Sequence, residues 1–145
     1  VLKLRKACPD ITLRTTVITG FPGETEEDFT ILCEFLKETR FQKLGAFAYS
    51  REENTPAYNL DGQIDEQTKI DRADIVMNQQ MEISYEYNEQ MIGKVVKVLC
   101  EGYDPVSGAH YGRTEHDAPD IDGKEYFTCK KRLPEGSRTF LLAGR

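Results

Sequence analysis

Four carboxylates, Glu24, Glu26, Glu27 and Asp28, crowd into five positions directly behind the turn Gly20-Phe21-Pro22-Gly23. Two kinds of chemistry use such a pattern. Thr25 is placed to cap a helix, and Asp28 three residues on completes a capping-box spacing. Acidic side chains in a first helical turn gain roughly 0.3–1 kcal/mol each from the macrodipole. A glycine turn at the C-terminal end of a strand is also where α/β proteins place ligands. Residues 15–18 are β-branched throughout and suit a buried strand, so both uses are open.

A second acidic group stands at Glu115, Asp117, Asp120 and Asp122, around Pro119 and Gly123, with Arg113 just before it. Between positions 101 and 126 seven acidic residues stand against two basic ones, a net of −5. A field of that sign repels phosphate and suits a basic protein partner. Lys130, Lys131 and Arg132 then form a basic knot able to contact RNA. Metal chemistry finds little support. The four cysteines, Cys8, Cys33, Cys100 and Cys129, contain no CxxC pair, and two histidines, His110 and His116, are too few for a His-rich site. Reduced cytosolic thiols, and hence a cytoplasmic location, are the default.

These side chains need elements to position them. An apolar run over 11–18 predicts a strand, and 25–39 an amphipathic helix with Phe29, Leu32, Cys33 and Leu36 on one face. A second buried strand is expected over 43–50. Strand, helix, strand in this order is a βαβ unit with parallel neighbours. Two strands cannot cover their own faces and edges, so the unit implies further partners. After a polar loop over 51–63, a long helix is expected from 65 to 92, ended by Gly93. Its packing stripe reads Ile70, Ala73, Val76, Met77, Gln80, Ile83, Tyr87 and Met91. From 94 onwards four short strands, 94–103, 108–115, 124–129 and 138–143, carry the pattern of a small antiparallel barrel. The fold class is therefore α/β followed by all-β.

The bulk figures agree with a globular protein. The chain has 145 residues, 39% hydrophobic and 30% charged, with a net charge of −6 that argues against non-specific nucleic-acid binding by the whole. No apolar run approaches the ~20 residues of a membrane span. The chain opens without a Met, inside what reads as a helix, and reads as a piece of a longer protein.

The stretches "ITGFPGETEEDF", "FQKLGAFAYSREENTPA" and "GRTEHDAPDIDG", joined by the long helix, resemble the C-terminal part of the radical S-adenosylmethionine methylthiotransferases. The last two favour the branch acting on ribosomal protein S-twelve over the tRNA-modifying relatives. The resemblance implies a parent enzyme with a partial (β/α) barrel, [4Fe-4S] clusters held by cysteines outside this chain, and a C-terminal TRAM domain. It assigns 1–64 to the end of the barrel, 65–92 to a bridging helix and 93–145 to an OB-like TRAM barrel. It implies that Val17, Ile18, Gly20 and Glu24 wall the S-adenosylmethionine nucleoside, with Gly20 and Gly23 keeping side chains out of the way. Glu24 matches a GxIxGxxE-like glutamate loosely, since Thr16 replaces the first glycine, and reads mainly as an organiser of the turn. The implied reaction places a methylthio group on the β-carbon of an aspartate in the ribosomal protein. Arg113, Glu115, Asp117, Asp120 and Asp122 are then the expected docking residues on an exposed rim. No catalytic or metal-binding residue is expected within the chain, and no bound cofactor or enzymatic activity of the piece by itself. The end "EGSRTFLLAGR" departs from the family's usual closing strand. Two other readings stay open: part of a tRNA methylthiotransferase, and a non-enzymatic RNA-binding TRAM module.

Overall fold

The computed structural model describes residues 1–144. Val1–Asn88 and Glu89–Arg145 form two compact units, described here in turn. In the first, a short helix α1 (Leu2–Ala7) precedes strand β1 (Arg14–Thr19), helix α2 (Glu26–Thr39) and strand β2 (Lys43–Ala48). The strands are parallel neighbours, with Thr16 opposite Gly45 and Ile18 opposite Phe47. This is the expected βαβ unit; among the described residues its sheet has two strands, and the expected barrel is not shown. The first strand begins at Arg14, three residues later than predicted.

Helix α2 starts as its sequence dictates. The Thr25 hydroxyl accepts from the Asp28 N–H at 3.1 Å, and the Asp28 carboxylate accepts from the Thr25 N–H at 3.0 Å. Arg40, in the left-handed region at φ 49°, ends it by donating its N–H to Leu36. One face of α2 brings Phe29 and Leu36 together with Phe41 and Val76, and Val17, Leu32, Cys33, Leu44 and Ala46 pack around them. Burial, and next to it the charge of Glu24, pushes the Cys33 thiol above its usual value, as befits a small core residue.

Helix α3 (Glu66–Met91) follows the loop, within which Pro56–Asn59 form a 3₁₀ turn. Its buried residues are Lys69, Arg72, Ala73, Val76, Gln80 and Ile83. The stripe predicted from apolar type is therefore corrected: Ile70 and Met77 are exposed, and Lys69 and Arg72 lie on the packing face. Both cations find carboxylates there, which removes most of the penalty that makes buried charge rare. Gln80 is accommodated in the same way, donating to the carbonyl of Phe41 at 3.0 Å.

The second unit is an antiparallel sheet of β3 (Val95–Asp104), β4 (Ala109–Thr114), β5 (Glu125–Phe127) and β6 (Arg138–Leu142), in the order β5-β4-β3-β6. The predicted strands all form, with ends displaced by no more than two residues; β3 runs one residue further than expected, to Asp104. Among the described residues β5 and β6 are not paired, so the pairing describes a sheet and not a closed barrel. A bulge between Cys100 and Gly102 bends β3. The core side gathers Val98, Cys100 and Phe127, with Val96, Leu133 and Leu141 against them. Gly112 has to be glycine, because a Cβ would stand 2.1 Å from the Leu99 carbonyl oxygen.

Candidate functional site

At the C-terminal end of β1 the chain turns through Gly20, at φ +72°, into the acidic run. The Glu24 carboxylate oxygen Oε1 accepts from the Gly20 N–H at 2.9 Å and from Arg72 Nη1 at 2.6 Å. Arg72 also donates from Nη1 to the Glu24 carbonyl at 3.3 Å, and from Nη2 to the Glu26 carboxylate. Burial by itself would push the Arg72 guanidinium down, but the bonds to Glu26 and Glu24 outweigh it and hold it above its ordinary value. One turn earlier on α3, Lys69 Nζ bonds Glu66 at 2.6 Å and lies 5.3 Å from the centre of the Tyr49 ring. The Thr19 hydroxyl donates to the Lys69 carbonyl at 3.1 Å. The following loop is pinned to the turn as well, since Gly23 donates its N–H to Gly62 at 2.9 Å.

This geometry revises why glycine stands at position 20. A Cβ there would lie 2.3 Å from Lys69 Cγ, so the missing side chain is required by α3 packing. At Gly23 a Cβ would meet nothing within 4 Å. Of the four residues expected to wall a nucleoside, Val17 turns its side chain into the core under α2 and Glu24 is committed to the turn. Ile18 stands on the opposite face of the two strands, exposed beside its partner Phe47. That face therefore presents apolar side chains to solvent at the strand end. Among the described residues no three His, Cys, Asp or Glu side chains gather as metal ligands.

The acidic loop of the second unit is less uniformly exposed than its sequence suggests. Asp117 is half-buried and accepts from the N–H and the hydroxyl of Thr114, at 2.9 and 2.6 Å. Asp122 is half-buried too and accepts from the Ala118 N–H at 2.7 Å. Both shape the loop, as aspartates do in turns. Arg113 is paired with Glu101 at 2.6 Å. Only Glu115 and Asp120 point fully outward, the latter at φ 59°, a conformation aspartate tolerates. Lys130, Lys131 and Arg132 are exposed, and the Arg132 guanidinium lies 5.2 Å from the Tyr103 ring centre.

Sequence reading missed two groups. Arg72 and Lys69 were passed over because charged residues inside a helix read as its solvated side; their i, i+3 spacing in step with Val76 was the available signal. On the sheet face opposite the core, Tyr111 pairs with the exposed Tyr126, and Lys124 Nζ stands 4.1 Å from the Tyr111 ring centre. Strand alternation alone could have found that pair. His110 takes a structural role, buried against Phe127 and accepting from the Leu133 N–H at 3.0 Å.

Residues 92–140 match the model of the TRAM domain. Over 136 residues, 94% of the chain, the sequence is 48% identical to the ribosomal protein uS12 methylthiotransferase RimO of Lachnoclostridium phytofermentans. It is 48% identical over 92% of the chain to the RimO of Acetivibrio thermocellus, and 51% over the same share to that of Desulfitobacterium hafniense. The chain spans only 30–31% of the length of these curated relatives. Among the described residues no helix is long and apolar enough to cross a membrane.

Proposed function

The chain belongs to the RimO family of ribosomal protein uS12 methylthiotransferases, and from that premise we propose that it serves two tasks in such an enzyme. In the first, the exposed face of β1 and β2 walls the nucleoside of S-adenosylmethionine. In the second, the TRAM unit receives the ribosomal protein that is to be modified. The activity proposed for the whole protein is methylthiolation of the β-carbon of an aspartate in uS12, carried out in the cytoplasm. Bound S-adenosylmethionine and iron–sulfur clusters supply the methyl and radical chemistry, with cluster ligands drawn from the remainder of the protein. Residues 1–64 would complete part of its barrel, 65–92 would bridge, and 93–145 would form the TRAM module.

The observation that carries this reading is the reach of the likeness: 94% of the chain, not the TRAM segment alone, aligns with RimO. Both the strand end and the acidic loop fall inside the range that the TRAM match and this long alignment cover. Docking rests on charge. Glu115 and Asp120 offer free carboxylates to basic side chains of the substrate, while Asp117 and Asp122 hold the loop that presents them and Arg113 keeps its base in register through Glu101. Such contacts raise association rates more than affinity and weaken with salt.

In the full-length enzyme, Glu115→Lys combined with Asp120→Lys should slow uS12 modification at low salt, with cofactor cleavage in the absence of substrate unchanged. Normal modification at low salt would remove the docking role. A second reading has its own support, because Lys124 over Tyr111, beside Tyr126, is the cation–aromatic arrangement that stacks single-stranded bases. Tight binding of tRNA at physiological salt, lost in Tyr126→Ala, would put RNA in place of the protein substrate.

A further inference from the structure

The residues on α3 that touch the end of β1 form one connected device. Arg72 is nearly fully buried and reaches both the side chain and the carbonyl of Glu24. Its Nε is buried without a hydrogen-bond partner, so the guanidinium is directed wholly at the two glutamates. Glu24 in turn spends the same oxygen on the Gly20 N–H. The Gly20 peptide is thus held from two sides by a single turn of α3, sterically by Lys69 Cγ and electrostatically by Arg72 through Glu24.

A buried ion pair is a weak source of stability compared with apolar packing of the same volume, but it defines geometry narrowly. Two-armed guanidinium–carboxylate bonding restricts direction as well as distance. Here the restricted object is the Gly20 backbone, two residues after Ile18, whose side chain stands on the exposed face.

We propose that Arg72 is a positioning residue for cofactor binding: acting through Glu24, it sets the Gly20 peptide and with it the strand end against which the nucleoside lies. This rests on the nucleoside-wall reading above. Glu26, whose largely exposed carboxylate accepts from Arg72 Nη2, is an accessory, and Glu24 is a relay inside the turn, not a direct ligand. The effect on binding should be transmitted and not additive. Removing Arg72 or Glu24 interrupts the same path, so removing both should weaken binding no further than either alone.

The probe is S-adenosylhomocysteine, which cannot be cleaved, bound to the reconstituted full-length enzyme and followed by calorimetry. Arg72→Met and Glu24→Gln should each weaken it by about tenfold, as loss of an outer-shell support commonly does, and the double variant should match the singles. Arg72→Lys keeps the charge and the fold but not the two-armed geometry. It should retain the thermal midpoint, lose affinity, and speed amide hydrogen exchange at Gly20. If Arg72→Lys and Glu24→Gln bind with unchanged affinity while Ile18→Asp abolishes binding, Arg72 is only a fold staple and this inference falls. If Ile18→Asp also binds normally, the nucleoside lies elsewhere and the wall reading fails with it. Independent, additive losses from Arg72 and Glu24 would show that Arg72 does not act through Glu24.

Discussion

The turn after β1 and the loop after β4 are built from the same residue types, acidic side chains beside glycine and proline, yet they hold their charges differently. In the first, Glu24 is drawn inward and met by an arginine 48 residues away in the chain. In the second, Asp117 and Asp122 bond backbone and hydroxyl groups three or four residues away, and Glu115 and Asp120 face water. A long-range partner makes a carboxylate part of the tertiary structure. A local partner makes it part of a turn, which can form wherever that sequence goes.

The largest effect should separate the two regions directly. Arg72→Met is expected to destabilise the first unit by about 3 kcal/mol, the low end for stranding one half of a buried pair, because exposed Glu26 keeps its water. Asp117→Ala should cost the second unit about 1 kcal/mol, as loss of a turn or cap acceptor does. Hydrogen exchange read separately over each unit checks both. Equal losses would erase the contrast between long-range and local bonding.

Glycine sharpens it further. Gly20→Ala meets the Lys69 stem and a positive φ, and should destabilise by about 2 kcal/mol, within the range of overpacking and backbone strain. Gly123→Ala in the acidic loop meets nothing within 4 Å and should lie within about 0.5 kcal/mol of wild type by denaturant melting.

The smallest effect concerns acid. Hydrogen bonds from the side chain and N–H of Thr25 hold Asp28 below its ordinary value, and those of Thr68 do the same for Asp65. Stability from a carboxylate lowered in the folded state is present above its unfolded value of about 3.9 and is lost as pH falls through the folded one. Thr25→Ala should therefore flatten the decline of the first unit's melting temperature below about pH 4 while lowering the neutral plateau slightly. A decline as steep as in wild type would mean that Asp28 is not its source.

Much of the fold was legible because it is local. The capping box at Thr25 and Asp28, the apolar face of α2, the β-branched run of β1 and the alternation of the later strands each follow from neighbours a few residues apart. The boundaries slipped where a strand's end depends on its partner: 11–13 read as strand, but Leu13 instead accepts at its carbonyl from Lys43 just before the paired register begins. In the acidic loop, composition identified the charged residues but not which of them the turn would consume, since Asp117 and Asp120 are the same residue type in different backbone conformations.

By itself the sequence determined the alternation of elements, the acidic character of both turns, and the family likeness in "ITGFPGETEEDF" and "GRTEHDAPDIDG". Only the tertiary structure decided that Lys69 and Arg72 lie inside while Ile70 lies outside, and that Gly20 is glycine for the sake of a lysine stem. Hydrophobic periodicity ranks residues by their cost of leaving water, one at a time. The cost for Arg72 depends on Glu24 and Glu26, which the fold alone brings within reach.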